Sequence, residues 1–162
     1  MTTIFFAKTA SIPIDRGLLN NAVAFFNAGS RCMADIALSP LVVNCPMTPA
    51  VVNYAFSAEL YLKLLTLLIN GSPARGHKLL DLFRTLPEAS RQRIQELAQP
   101  LAMVANFPQE LERVSNAFVE WRYEHEHETL MINPAVLTGL AKACHTLVRE
   151  LRPDLRTAAD PA

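Results

Sequence analysis

The residues best able to transfer protons or hold a phosphate lie in one segment of the 162-residue chain. Residues 120–128 read EWRYEHEHE and hold two of the four histidines, the single tryptophan, one arginine and four glutamates. A histidine titrates near neutrality and can act as acid or base, and a guanidinium can bind two phosphate oxygens at once. Residues 120–128 therefore contain side chains of the types that proton transfer and phosphate binding need.

Two other interpretations of this segment stay open. Glu124 and His127 form a Glu-x-x-His pair, which is half of the ligand set of a di-iron bundle. No second such pair occurs in the chain, so we expect no metal and no other cofactor. Alternatively, the glutamates form the solvated face of a helix, and His125 continues the buried stripe of that helix as a hydrogen-bonded core residue.

Composition limits the class of protein. Fifteen basic and fifteen acidic residues give a formal charge of zero, which disfavours general attraction to nucleic acid or anionic membranes. With 51% hydrophobic residues, we expect residues 1–162 to fold as a single domain. The three cysteines match no disulfide or zinc framework, and the N-terminus has no secretory signal, so we expect free thiols and a cytoplasmic protein.

The positions of the prolines and the small number of glycines predict an all-α fold. Eleven prolines fall mostly at the edges of segments with helical periodicity, and only five glycines occur. Short connections favour an antiparallel up-and-down bundle of four to five main helices, with residues 1–14 as an N-terminal extension and residues 153–162 as a frayed tail. We predict helices over residues 15–38, 49–70, 77–86 and 88–99, a long helix from Pro108 towards His125, and a last helix from Pro134, capped by Asn133, to about Leu151.

The second predicted helix belongs at the centre of the bundle, because residues 51–69 are apolar on most sides. That stretch approaches membrane-spanning length, but Asn53, Glu59 and Lys63 would be costly in lipid, so we expect no membrane contact. Glu59 and Lys63 lie four residues apart, in the order that favours an ion pair.

Three segments resemble the HEPN domain (higher eukaryotes and prokaryotes nucleotide-binding), a small helical bundle. They are SAELYLK at residues 57–63, GHKLLDLF at residues 76–83 and NAFVEWRY at residues 116–123, in the order expected for that family. Many members are metal-independent endoribonucleases whose signature is an arginine followed after four to six residues by a histidine. The resemblance implies that Arg122 binds the phosphate and His127 transfers protons.

The same resemblance implies a two-fold homodimer in which two such pairs face one cleft. Tyr123, His125 and Glu59 are candidate supporting residues. The implied function is an RNA-directed protein, a metal-independent endoribonuclease of toxin or defence type. The alternative is a catalytically silent HEPN module that acts through association with another protein, such as an antitoxin.

RNA would need a basic surface, because the glutamates around Arg122 would repel a phosphate backbone unless they are paired. His77, beside a glycine-containing loop, is interpreted as a capping or packing residue. The candidate RNA-binding residues are Arg75, Lys78, Arg84, Arg91 and Arg93.

Overall fold

A computed structural model describes residues 13–34, 36–39, 42–44, 46–122, 132–155 and 157. Over these ranges the chain forms seven helices and one small hairpin. In chain order they are α1 (Ile14–Cys32), β1 (Ile36–Ser39), β2 (Val42–Asn44), α2 (Met47–Asn70), α3 (Leu79–Arg84), α4 (Glu88–Ala102), α5 (Phe107–Arg113), α6 (Ala117–Glu120) and α7 (Pro134–Leu151).

The helices pack as a bundle around α2, which confirms the helical fold class. Helix α2 lies between α1 and α7, and it also contacts the short helices α3 and α6. Helix α4 packs along α7, and α5 fills the space beside α3, α4 and α7. One cluster of buried apolar side chains takes members from all seven described helices, so the helices share a common core.

The central position predicted for α2 is confirmed. By length and composition alone α2 could cross a membrane, yet most of its apolar window is buried inside the protein. Tyr61, Leu62, Leu64 and Leu65 are fully buried. Its apolar surface is therefore explained by packing against neighbouring helices.

Two helix boundaries follow the predicted capping signals. The Asn133 side chain accepts a hydrogen bond from the Ala135 N–H at 3.0 Å, and Pro134 opens α7. Gly71 ends α2 in the left-handed conformation, with φ of 78°.

The prediction that the first helix continues to residue 38 is wrong, because α1 ends at Cys32 and the chain enters the hairpin. Strands β1 and β2 are antiparallel, with Ile36 opposite Asn44 and Ala37 opposite Val43. The β-branched residues in these strands favour extended backbone, and a proline at position 40 disfavours helical geometry in the residue before it.

The predicted long helix from Pro108 is also wrong, since it is divided into α5 and α6 at residues 114–116. At this break Ser115 caps the start of α3: its carbonyl accepts from the Leu79 N–H and its hydroxyl from the Leu80 N–H, both at 3.0 Å. These two bonds satisfy donors that the first turn of α3 would otherwise leave unpaired.

Other helix ends also differ from prediction. Helix α2 begins at Met47, α3 begins at Leu79 rather than residue 77, and α4 passes Pro100 and ends at Ala102. The left-handed residue Met103 (φ 53°) caps α4. Leu155, within the predicted tail, is 1% exposed and belongs to the core cluster.

Candidate functional site

A buried carboxylate anchors the candidate site. Glu59, on the central helix α2, is 1% exposed and accepts a hydrogen bond from Lys63 Nζ at 2.7 Å. This ion pair, one helical turn apart, was predicted from the sequence and is confirmed. A buried carboxylate needs such partners, because the loss of hydration would otherwise be uncompensated.

His77 supplies a second partner for the same carboxylate. The loop of residues 71–78 brings its ring over α2, where Nδ1 lies 3.0 Å from Oε1 and 3.2 Å from Oε2 of Glu59. The histidine side chain is 60% exposed, so the ring joins a buried group to the surface. Of the two roles predicted for His77, capping or packing, capping is wrong, because the residue that precedes α3 is Lys78. The His77 ring binds Glu59 and lies against the Phe118 ring.

The hydrogen bond to Glu59 determines which ring nitrogen of His77 carries a proton. A carboxylate accepts hydrogen bonds and donates none, so Nδ1 must be the donor. Nε2 is then left on the side of the ring away from Glu59. A histidine oriented in this way can accept or release a proton at Nε2 while keeping its bond to the carboxylate.

Phe118 joins this pair to Arg122. Helix α6 places the Phe118 ring 6.0 Å from the His77 ring and stacks it on Phe56, at 4.8 Å between centroids. The Arg122 guanidinium lies over the same Phe118 ring, with Cζ 4.5 Å from the centroid, and its Nε donates to the Phe118 carbonyl at 3.1 Å. The ring and the carbonyl together fix the position of an exposed guanidinium.

We call Glu59, Lys63, His77, Phe118 and Arg122 the Phe118 cluster. It contains two of the residues predicted for the site, Arg122 and the supporting residue Glu59. Tyr123, His125 and His127 lie outside the described residues, as do the glutamates that follow Arg122. In the ranges that the structure describes, no three His, Cys, Asp or Glu side chains are grouped in a way that could hold a metal ion.

Two of the predicted RNA-binding residues bind carboxylates of the protein. Arg91 forms an ion pair with Glu88, three residues before it. Arg93 donates to Glu150 on α7 at 2.6 Å, and this hydrogen bond lowers the pKa of the Glu150 carboxyl. Arg93 connects α4 to α7, whereas Arg91 pairs within α4, and both arginines are already engaged with carboxylates.

The other three predicted basic residues are exposed. Arg75 and Lys78 flank His77 in the loop that leads into α3. Arg84, at the end of α3, borders a groove of about 490 Å³ that is also lined by Phe83 and Glu112. Of the five predicted RNA-binding residues, Arg75 and Lys78 lie closest in sequence to His77, a member of the Phe118 cluster.

Sequence reasoning missed the role of His77 in the site. The signal available was Glu59 itself, because a carboxylate in the middle of an apolar helix must find partners inside the fold. Lys63 was recognised as one partner from its spacing. His77 was not, since its approach depends on how the loop between α2 and α3 folds back.

Comparison of the chain with protein-family models, with curated proteins and with solved structures gave no match. Residues from 57–63, 76–83 and 116–122 meet in space. Residues 57–63 contribute Glu59 and Lys63 to the Phe118 cluster, residues 76–83 contribute His77, and residues 116–123 contribute Phe118 and Arg122.

Proposed function

We propose that this chain is an HEPN-like, RNA-directed protein that cleaves RNA without a metal ion, at a surface formed around the Phe118 cluster. One observation carries the proposal: three separate segments, each chosen by resemblance, contribute polar side chains or an aromatic platform to one surface cluster. Packing of the core does not explain this arrangement. In it, an exposed guanidinium lies near an imidazole, and a buried carboxylate orients that imidazole.

The cluster fits the chemistry of RNA cleavage by the neighbouring hydroxyl. A base removes the proton of the ribose 2′-hydroxyl, and the 2′-oxygen forms a bond to phosphorus while the bond from phosphorus to the 5′-oxygen breaks. An acid protonates that leaving oxygen. In the proposed reaction, Arg122 binds the phosphate and stabilises the extra negative charge of the transition state.

His127 is the proton carrier that the sequence signature assigns to this reaction. In the proposed enzyme a two-fold homodimer brings a second Arg122 and a second His127 to the same cleft. Arg75 and Lys78, exposed on either side of His77, provide positive charge along the path of the RNA backbone.

A second candidate function is a catalytically silent module that acts by binding another protein. The observation that favours it is an exposed apolar end of α4, where Met103 is 85% exposed and Leu101 is 48% exposed. Met103 borders a cavity of about 620 Å³. Large exposed apolar side chains beside a cavity are typical of surfaces that bind partners.

The test is RNA cleavage in EDTA by the wild-type chain and by Arg122→Ala, His127→Ala and Arg113→Ala. Arg113 is the matched control, because it is an exposed arginine on α5 that binds Glu110 and lies outside the Phe118 cluster. Loss of a preorganised charged donor costs about 100-fold or more in rate, so Arg122→Ala should be nearly inactive and Arg113→Ala normal. Equal activity of Arg122→Ala and wild type contradicts the proposal, and no cleavage of any RNA by the wild type favours the binding module.

A further inference from the structure

We infer that His77 is a catalytic proton donor of this site and that Glu59 is its positioning residue. The inference rests on the proposed function and adds to it an acid that the sequence signature does not contain. One histidine cannot act as base and acid in the same step. With His77 as acid, the proton donor comes from the same chain as Arg122, and the second His127 of the proposed homodimer is not needed for that role.

The first support is the geometry of His77 and Glu59. Nδ1 is within hydrogen-bond distance of both carboxylate oxygens, which fixes the ring orientation and leaves Nε2 as the nitrogen that exchanges protons. Because the side chain is 60% exposed, a substrate can reach it.

The second support is that Glu59, beneath the His77 ring, already has a positively charged partner. Lys63, whose side chain is 18% exposed, already matches the charge of Glu59 with its own ammonium group. A proton taken up by His77 therefore adds positive charge to the surface of the protein instead of neutralising an isolated carboxylate. Positive charge at that position attracts the phosphate of a ribonucleotide.

The third support is the position of His77 relative to Arg122. Both side chains contact the Phe118 ring, so the imidazole and the guanidinium are no farther apart than the sum of their two distances to that ring, 6.0 Å and 4.5 Å. The stacked ring of Phe56 supports Phe118 from α2. The two groups are thus held by a common rigid platform on the surface of the bundle.

In the proposed step, His77 protonates the 5′-oxygen that leaves the phosphorus. The base takes the 2′-hydroxyl proton, the 2′-oxygen attacks phosphorus, and the electron pair of the broken bond passes to the 5′-oxygen. Nε2 of the His77 imidazolium gives its proton to that oxygen. The products are a 2′,3′-cyclic phosphate, a free 5′-hydroxyl and a neutral His77 that still donates from Nδ1 to Glu59.

The experiment compares two substrates that differ in their need for an acid: an RNA dinucleotide and a uridine 3′-nitrophenyl phosphate. Nitrophenolate leaves without being protonated. The variants are His77→Asn, whose side-chain amide can still donate to Glu59, together with Glu59→Gln and Arg122→Ala. The pH dependence of kcat/KM is recorded for each, and nitrogen-15 spectra of wild type and Glu59→Gln report the protonated ring nitrogen of His77.

We expect His77→Asn to lose about 100-fold in rate on the dinucleotide, to lose the fall in rate at high pH, and to keep most of its rate on the nitrophenyl ester. Glu59→Gln should slow the dinucleotide reaction less than His77→Asn does. It should also weaken the preference for a proton on Nδ1 of His77. Arg122→Ala should be slow on both substrates.

Full activity of His77→Asn on RNA, with Arg122→Ala inactive, overturns the inference and leaves the proposed function standing. An equal loss on both substrates in His77→Asn also overturns it, because an acid acts only on the poor leaving group. A wild-type chain that cleaves neither substrate overturns the inference and the proposed function together.

Discussion

Nδ1 of His77 lies 3.0 Å from Oε1 of Glu59, although 18 residues separate them in the chain. One partner is buried in the central helix and the other stands largely in solvent. This contact connects the interior of α2 to the surface loop before α3. It therefore affects both the stability of the bundle and the chemistry available at its surface.

Replacing His77 and replacing Glu59 should lower the free energy of unfolding by different amounts. In His77→Ala, Glu59 keeps its bond from Lys63, so the free energy of unfolding should fall by about 1 kcal/mol. In Glu59→Ala, both donors lose their acceptor next to a buried space, and the fall should be about 2–4 kcal/mol. Urea unfolding of both variants measures the difference, and a His77→Ala variant less stable than Glu59→Ala would contradict this account of the site.

Gly29 is required where α1 meets α2. A Cβ at this position would lie 2.9 Å from two ring carbons of Tyr54 and 3.2 Å from the Ala50 carbonyl oxygen. The Tyr54 hydroxyl also donates to Ser30, which limits how the ring can move. We expect Gly29→Ala to destabilise the protein by about 1–3 kcal/mol, measured by thermal or urea unfolding, even though alanine is the better helix former.

Gly17 in the same helix is the matched control. A Cβ there meets no atom within 4 Å, so Gly17→Ala should stabilise the protein by up to about 1 kcal/mol through helix propensity alone. If the two alanine variants changed stability in the same direction and by the same amount, close packing at Gly29 would not be the cause.

The end of α7 provides a test by pH. The hydrogen bond from Arg152 lowers the pKa of the Asp154 carboxyl to about 2, and Arg152 also lies 3.6 Å from Asp15 on α1. Since the folded-state pKa lies below the unfolded value of about 3.9, this carboxyl stabilises the fold above pH 4, and its contribution is lost as pH falls towards 2. Carbon-13 titration should place the Asp154 midpoint near 2 in the wild type and close to the ordinary value in Arg152→Gln; an unchanged midpoint in that variant would contradict the assignment.

Thiol reactivity should follow burial. Cys144 on α7 is fully buried, and burial raises the pKa of its thiol, so an alkylating reagent at pH 8 should modify it only when the protein unfolds. Cys32, at the end of α1, is half-buried and should react before Cys144 in the folded protein. Peptide mapping after timed alkylation measures both rates, and early modification of Cys144 in native buffer would show that α7 opens locally.

Local signals in the sequence predicted the elements whose ends depend on neighbouring residues. Asn133 and Pro134 start α7, Gly71 ends α2, and the spacing of Glu59 and Lys63 gave a real ion pair. Each of these features involves residues within one helical turn of each other. Side-chain caps, left-handed glycines and i,i+4 pairs can be recognised without knowledge of the fold.

The features that sequence reasoning missed depend on residues far apart in the chain. The break between α5 and α6 is stabilised because Ser115 receives hydrogen bonds from Leu79 and Leu80, which lie about 35 residues earlier. In the same way, His77 reaches Glu59 only because the loop after α2 folds back over that helix. Neither contact leaves a periodic pattern in the sequence.

An NMR titration with a 2′-O-methyl oligonucleotide, which cannot be cleaved, shows whether RNA binds at the Phe118 cluster as we propose. His145 on α7, which contacts the buried Tyr61 hydroxyl, is the internal control. We predict that the ring signals of His77 shift and saturate as oligonucleotide is added, that those of His145 stay in place, and that Arg122→Ala abolishes the His77 shift. Saturable binding that leaves His77 unchanged, or that shifts it equally in Arg122→Ala, would contradict the account.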